Sequence, residues 1–263
     1  MKKLYEKSEI TFAILWIVIY TLGMGTLKGN FGLDSLWQML GLIVISAAMF
    51  LFVKKNGLLE KYGLNGWAKN GRAMLWFIPL WILSCLNLFS GFSPDYPVPG
   101  LIYAAVSMAL VGFVEELLFR GFLFKAMLKD GNVKMAIIIS SLTFGLGHIM
   151  NLFTGQDLIE TLNQVIFAVA IGFIFTMVYY KSGSLLPGIL VHSLIDVTSV
   201  FAADEGSYLL NIILHIVIVV ISVAYCLYLS KLVETPAINQ IGKQEQTVSE
   251  PQEYFLCDWW NHE

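Results

Sequence analysis

The sequence predicts an all-α polytopic membrane protein with about eight transmembrane helices. Hydrophobic residues make up 57% of its 263 residues and charged residues only 13%, whereas a soluble domain carries about 25% charged residues. Several stretches of about 18 or more residues contain few or no charges, which is the length that crosses a hydrocarbon core of about 30 Å. Loops rich in lysine and arginine also alternate with base-poor loops along the whole chain.

The apolar stretches define the predicted spans and the domain organisation. The spans are Ile10–Leu27, Leu36–Val53, Met74–Phe92, Leu101–Phe124, Met135–Phe153, Thr161–Tyr180, Leu185–Ala202 and Tyr208–Ser230. Residues 1–100 then hold helices 1–3, residues 101–202 a core of helices 4–7, residues 203–233 helix 8, and residues 234–263 a cytoplasmic tail. The tail ends in an aromatic cluster with Trp259 and Trp260, which suits a membrane interface; a mobile tail is an equal alternative.

Loop charges predict the orientation. One set of alternate loops, together with both termini, holds Lys2, Lys3, Lys7, Lys54, Lys55, Lys61, Lys69, Arg72, Lys125, Lys129, Lys134, Lys181, Lys231 and Lys243, whereas the other set holds only Lys28 as a base. Because lysine and arginine concentrate in cytoplasmic loops, both termini are expected in the cytoplasm. We expect an integral, multi-pass protein of a bacterial plasma membrane.

Net charge and cysteine usage exclude other classes. The net charge of −3 indicates no nucleic-acid partner, and the three scattered cysteines predict neither a disulfide framework nor a thiolate zinc site. Membrane lipid is an expected partner.

Ionisable residues inside the spans single out a candidate site. An acid or arginine at a helix centre costs about 3 kcal/mol on translocon scales, and such residues usually mark function. They concentrate in three spans: the fourth has Glu115, Glu116 and Arg120, the fifth has His148, and the seventh has His192 and Asp196. At 1.5 Å per residue, the depths of Glu115, His148, His192 and Asp196 below the cytoplasmic face are about 15, 21, 12 and 18 Å. We therefore expect these side chains in one layer.

The sequence spacing of these ionisable residues suggests which are structural and which are available for chemistry. Glu116 and Arg120 are four residues apart and can pair on one helix face, an arrangement that is more often structural than catalytic. Glu115 is rotated by about 100° from Glu116 and is free for chemistry. His192 and Asp196 are also four apart and can address one point.

Other side chains near this layer have weaker roles. Phe144 lies one turn before His148 and can shield it from lipid or shape a substrate groove. Serine or cysteine nucleophiles are disfavoured, because none is convincingly placed in the layer. The hydroxyls considered are Ser140, Ser141, Thr143 and Ser193.

The ordered motifs resemble those of the CPBP intramembrane proteases, a family of CAAX prenyl endopeptidases and bacteriocin-processing or immunity relatives. The motifs are Glu115-Glu116-x-x-x-Arg120, Phe144-x-x-x-His148 and His192-x-x-x-Asp196, with the run Gly183 to His192 leading into the last. The resemblance covers about Leu101 to Val200. It implies an endopeptidase that cleaves a peptide near the membrane, facing the cytosol.

The resemblance also implies roles for single residues. Glu115 matches the catalytic glutamate and His148 its partner in activating water. His192 and Asp196 match the pair that binds a metal or stabilises the oxyanion, and Glu116 and Arg120 match supporting positions.

Asp196 departs from the commonest motif, which often ends in asparagine. An ionised aspartate would repel an oxyanion, so Asp196 is expected to be protonated, to orient His192 or to coordinate a cation. Two histidines and two carboxylates are acceptable ligands for zinc, so a divalent metal on His148, His192, Asp196 and Glu115 is kept as an alternative to a metal-free glutamate base.

Two other functions compete with the protease. One is a catalytically silent scaffold or bacteriocin-immunity-type protein of the same fold. The other is a transporter or proton pathway, which the absence of an evident inverted repeat in the sequence disfavours.

Overall fold

The computed structural model describes residues 1–93, 95–203 and 208–232, and this part of the chain is built from helices. They are α1 (Lys2–Lys7), α2 (Glu9–Phe31), α3 (Leu36–Lys55), α4 (Ile78–Cys85), α5 (Gly100–Met127), α6 (Val133–Gly147), α7 (Leu158–Ser182), α8 (Leu186–Phe201) and α9 (Tyr208–Ser230). The prediction of an all-α membrane protein is therefore confirmed. The predicted tail over residues 234–263 lies outside the described residues.

All eight predicted spans coincide with apolar helices of differing length. Six helices are long and apolar enough to cross a membrane: α2, α3, α5, α6 with its 3₁₀ extension to Thr154, α7 and α9. The other two are shorter apolar helices, Leu75–Phe89 and Leu186–Phe201. Helix α8 extends about 24 Å, less than the roughly 30 Å hydrocarbon core. Six spans are thus of full length, and the cytoplasmic location of the termini stays a prediction.

The predicted span Met74–Phe92 is wrong as a continuous helix. Leu75, Trp76 and Phe77 have φ angles of 53°, 51° and 60°. A right-handed helix cannot continue through residues in this left-handed region. The α-helical part is therefore only Ile78–Cys85, where a proline in the first turn is compatible with helix geometry.

Polar side chains cap the first turns of α2, α3, α6 and α7. Ser8 accepts a hydrogen bond from the Thr11 backbone N–H, and Asn132 accepts one from that of Met135. Such caps satisfy backbone donors that lack a partner within the helix. They explain why the helices begin where the apolar runs begin.

Glycines allow the helices around the site to approach closely. A Cβ on Gly112 of α5 would lie 2.5 Å from the Ser193 backbone nitrogen of α8, and one on Gly145 of α6 would lie 2.8 Å from that of Val169 in α7. Small residues at crossings permit this approach between membrane helices. The α5–α8 and α6–α7 pairs hold the motif residues together.

The segment between α3 and α4 covers the end of the bundle that carries the basic loops. The Ser184 hydroxyl donates to the Gly66 carbonyl at 2.8 Å, and the Asn70 amide donates to the Lys181 carbonyl at 2.8 Å. Tyr62 of the same segment is buried. These contacts close that end of the bundle.

A charged cluster strengthens the same end. Glu9, at the start of α2, accepts hydrogen bonds from Lys61 at 2.6 Å and from Lys129 at 3.0 Å. Burial by itself lowers the pKa of Lys61, but hydrogen bonds to Glu9 and Tyr5 outweigh this effect and raise that pKa above its usual value. The cluster links α2 to two separate loops.

Candidate active site

The first motif lies where α5 changes from α-helical to π-helical geometry. The α-helical part ends at Glu115, and residues Glu116–Phe124 form a π-helix whose side chains are all buried. Such widened turns occur frequently at functional sites. The two glutamates thus lie at the junction between the two helix geometries.

Glu116 and Arg120 form a buried ion pair. The Arg120 Nη1 donates to Glu116 Oε1 at 2.9 Å, and its other nitrogens donate to the Thr176 hydroxyl and the Gly172 carbonyl. The guanidinium lies 4.2 Å from the centroid of the Phe144 ring, a cation–π contact. Because an unpaired buried charge is strongly destabilising, this pair stabilises the interior of the bundle.

His192 connects this pair to the other acids. Its Nδ1 lies 3.0 Å from Glu116 Oε1, while its Nε2 lies 3.6 Å from Glu115 Oε2 and 3.5 Å from Asp196 Oδ2. Glu116, ionised beside Arg120, can only accept a hydrogen bond, so Nδ1 carries a proton. A carboxylate behind an imidazole sets its orientation and tautomer, and here it aims Nε2 at the two remaining acids.

Glu115 has a partner outside the motifs. The Tyr20 hydroxyl of α2 donates to Glu115 Oε1 at 2.8 Å. The side chain of Glu115 is 13% exposed and that of Asp196 21%, whereas that of Glu116 is 1% exposed. Water can therefore reach Glu115 and Asp196 but not Glu116.

His148 lies in the same region without joining the group around His192. Its Nδ1 lies 3.2 Å from the Phe144 carbonyl, which can only accept, so Nδ1 donates and Nε2 is free to accept. The Phe144 ring contacts both imidazoles edge to face, at 5.5 Å from His148 and 5.6 Å from His192. Phe144 thus separates the two histidines.

These side chains line one cavity of about 190 Å³. Its wall includes the five side chains Tyr20, Glu115, His148, His192 and Asp196. The structure therefore brings all four predicted catalytic residues to one space. Their chemical roles stay predictions.

Three of the four hydroxyls considered from the sequence are engaged elsewhere. Ser193 donates to the Ala109 carbonyl, Ser140 donates to the Phe119 carbonyl, and Ser141 donates to the Thr176 hydroxyl. None of these three lines the cavity. Their contacts join helices and do not support a serine nucleophile.

The arrangement of possible ligand side chains bears on the alternative of a metal ion. Among the described residues, no group of three or more His, Cys, Asp or Glu side chains is arranged to hold a metal ion. Because the Nδ1 of His192 is bound to Glu116 and that of His148 to a carbonyl, only the Nε2 of either ring could bind a metal. A divalent metal on these residues stays a prediction, and no step below depends on one.

Residues 97–198 match a family model described as Type II CAAX prenyl endopeptidase Rce1-like. This segment is similar to the Rce1-like family. The resemblance to CAAX prenyl endopeptidases that the motifs predict is therefore confirmed, and the family indicates protease activity of the CAAX type in a membrane. No curated protein and no solved structure matches the chain in these comparisons.

The matched segment does not contain the whole site. It includes all three motifs, but Tyr20 lies outside it on α2. Sequence reasoning missed Tyr20, since a tyrosine in an apolar span is ordinary and its contact with Glu115 joins residues 95 positions apart.

Proposed function

We propose that the protein is an intramembrane endopeptidase in which Glu115 activates water to hydrolyse a peptide bond of a membrane-associated or lipid-modified peptide. The observation that carries the proposal is the convergence of Glu115, His192 and Asp196 at one cavity wall. The match to the Rce1-like family supports the reaction class.

Glu115 is the general base in this proposal. Its Oε1 is held by Tyr20, which leaves Oε2 to take the proton of a water molecule. The resulting hydroxide attacks the peptide carbonyl, and Glu115 passes the proton to the leaving amine as the C–N bond breaks. Glu116 is unsuited to this role because it is inaccessible and already bound to Arg120 and His192.

His192 stabilises the tetrahedral intermediate. In its imidazolium form both ring nitrogens donate, so Nε2 can donate to the oxyanion while Nδ1 stays bound to Glu116. A preoriented donor of this kind stabilises the transition state because it need not reorganise during the reaction. His148 assists from the other side of Phe144, where its free Nε2 shares the proton of the attacking water.

Asp196 serves as a second carboxylate beside His192. Its Oδ2 lies 3.5 Å from His192 Nε2, longer than most hydrogen bonds of this type. We infer that it orients His192 and balances the charge of the imidazolium. This assignment selects one of the three roles that the aspartate allowed.

The test is cleavage of a membrane-anchored peptide by the purified full chain in liposomes. We expect defined fragments from the native protein, and a loss of about tenfold or more on replacing either His148 or His192 by alanine, with normal amounts of folded protein. Mass spectrometry of the fragments is the measurement. Unchanged cleavage in either variant would reject its assigned role, and no cleavage by the native chain would favour the scaffold.

Tyr20 is proposed as a positioning residue. Tyr20→Phe removes the donor that holds Glu115 Oε1, and a hydrogen bond to a charged group contributes about 1.5–3 kcal/mol. We expect kcat to fall by roughly 10- to 100-fold with little change in KM, because the substrate still binds. Steady-state kinetics on the reconstituted protein measure kcat and KM separately.

The matched control for Tyr20 is Tyr103→Phe. Tyr103 lies on α5 and does not line the cavity, so kcat and KM should both stay close to native values. A rise in KM alone for Tyr20→Phe would show that Tyr20 binds substrate and does not position Glu115.

A further inference from the structure

The cavity extends from the acids toward one end of the bundle. Tyr20 lies at its deep end, and Lys28, eight residues further along α2, also lines it. This separation corresponds to about 12 Å along the helix axis. The remaining wall near Lys28 is formed by Leu33 in the turn between α2 and α3 and by residues near the ends of other helices: Gln38, Asn151, Thr154 and Gln164. We call these five residues and Lys28 the mouth.

At the opposite end, the described residues pack closely. Beyond Glu115, the side chains of the π-helix are all buried. The Phe122 ring of this helix contacts Tyr62 edge to face, with 5.2 Å between the ring centroids, and Ser184 is bonded to Gly66. In the described part of the chain, no residue of the 54–74, 125–134 or 181–185 segments lines the cavity. The basic end is therefore closed while the other end is open.

The distribution of basic residues indicates which side of the membrane the mouth faces. The closed end carries the basic loops, including Lys54, Lys55, Lys69 and Arg72, whereas the mouth carries Lys28 as its one base among the described residues. Basic loops remain on the cytoplasmic side. By this rule the mouth lies at the opposite, non-cytoplasmic face.

We propose that the site receives its peptide substrate through the mouth, from the non-cytoplasmic side of the membrane. This inference rests on the proposed function and deepens it. The resemblance to CAAX endopeptidases implies cleavage facing the cytosol, and the geometry points to the other face. The substrate is then a peptide segment exposed outside the cytoplasm, such as the external end of a membrane-anchored precursor.

The chemistry of the mouth suits an extended peptide. The Asn151 amide donates to Gln164 Oε1 at 2.8 Å, so side-chain amides that can also bind a peptide backbone line the entrance. The Lys28 ammonium forms no ion pair with the described residues and can attract a carboxylate of the peptide. A mouth of this composition favours an acidic or carboxyl-terminal segment over a basic one.

The test uses a cysteine at the mouth and a maleimide that cannot cross membranes. The native cysteines Cys85, Cys226 and Cys257 are first replaced by serine, and Thr154→Cys is added. We expect Thr154→Cys to react at least tenfold faster in right-side-out than in inside-out vesicles. Its cleavage of the anchored peptide should then fall at least tenfold, because the label fills the entrance.

Two single cysteines in the same background are the controls. Phe153→Cys lies beside Thr154, is 79% exposed and does not line the cavity, so it should react from the same side without loss of cleavage. Lys54→Cys, at the closed end, should react only in inside-out vesicles.

Two outcomes would overturn the proposal: faster reaction of Thr154→Cys in inside-out vesicles, or full cleavage after complete labelling. The side from which Thr154→Cys reacts can be measured even if the protein cleaves nothing. Failure of the access route is therefore distinguishable from failure of the proposed function.

Discussion

Replacing Glu115 by glutamine is expected to abolish most of the proteolysis while leaving the fold intact. Glutamine keeps the size of the side chain and still accepts the hydrogen bond from Tyr20, but it cannot take a proton from water. Loss of a general base lowers the rate by roughly 10²- to 10⁴-fold. We expect that loss in kcat, with KM nearly unchanged, in reconstituted protein acting on an anchored peptide.

The control for Glu115→Gln is Glu60→Gln. Glu60 is an exposed acid in the segment that covers the closed end, so its loss should change neither kcat nor thermal stability. If Glu115→Gln retained more than half of the native kcat, the base would have to be another group, and His148 would be the next candidate because its Nε2 is free.

The second large effect concerns Arg120. Arg120→Met removes the partner of a fully buried carboxylate, together with two hydrogen bonds to α7. Removing one member of a buried ion pair costs about 3–5 kcal/mol. We expect a marked fall in thermal stability in detergent and in the amount of folded protein in the membrane. Arg72→Met, at an exposed arginine, is the matched control and should behave as native.

A double variant separates charge from packing at this position. Glu116→Gln combined with Arg120→Met removes both charges, and glutamine can still accept from His192 Nδ1. Replacing both members of a buried pair is often nearly neutral, so most of the lost stability should return. A double variant as unstable as Arg120→Met would show that the hydrogen bonds of Arg120 to Thr176 and Gly172 matter more than its charge.

The contact between Tyr20 and Glu115 extends the site beyond the segment that matches the Rce1-like family. Helix α2 also supplies Lys28 to the mouth and Glu9 to the cluster at the closed end. Helix α2, which precedes the matched segment, therefore positions the proposed base, lines the mouth of the cavity and helps to close the opposite end of the bundle. This is why an isolated 97–198 segment is expected to lack a complete cavity.

Much of this protein follows from its sequence alone. The apolar runs are long enough to require helices in a membrane, and the spacing of Glu116 with Arg120 and of His192 with Asp196 is a local property that any helix expresses. The ordered motifs were sufficient to indicate the protease family. The break before Ile78 was not predictable, because the apolar composition of residues 74–92 is the same whether or not Leu75, Trp76 and Phe77 adopt positive φ.

Only the tertiary structure decided how these groups meet. Helix periodicity gives the face and depth of a side chain but not the rotation of one helix against another, so neither the position of His192 between three carboxylates nor the separation of His148 by Phe144 followed from spacing. The hydrogen bond from Tyr20 and the open end of the cavity depend on contacts between segments far apart in the chain. Those contacts arise from packing, which hydropathy and charge along the sequence do not encode.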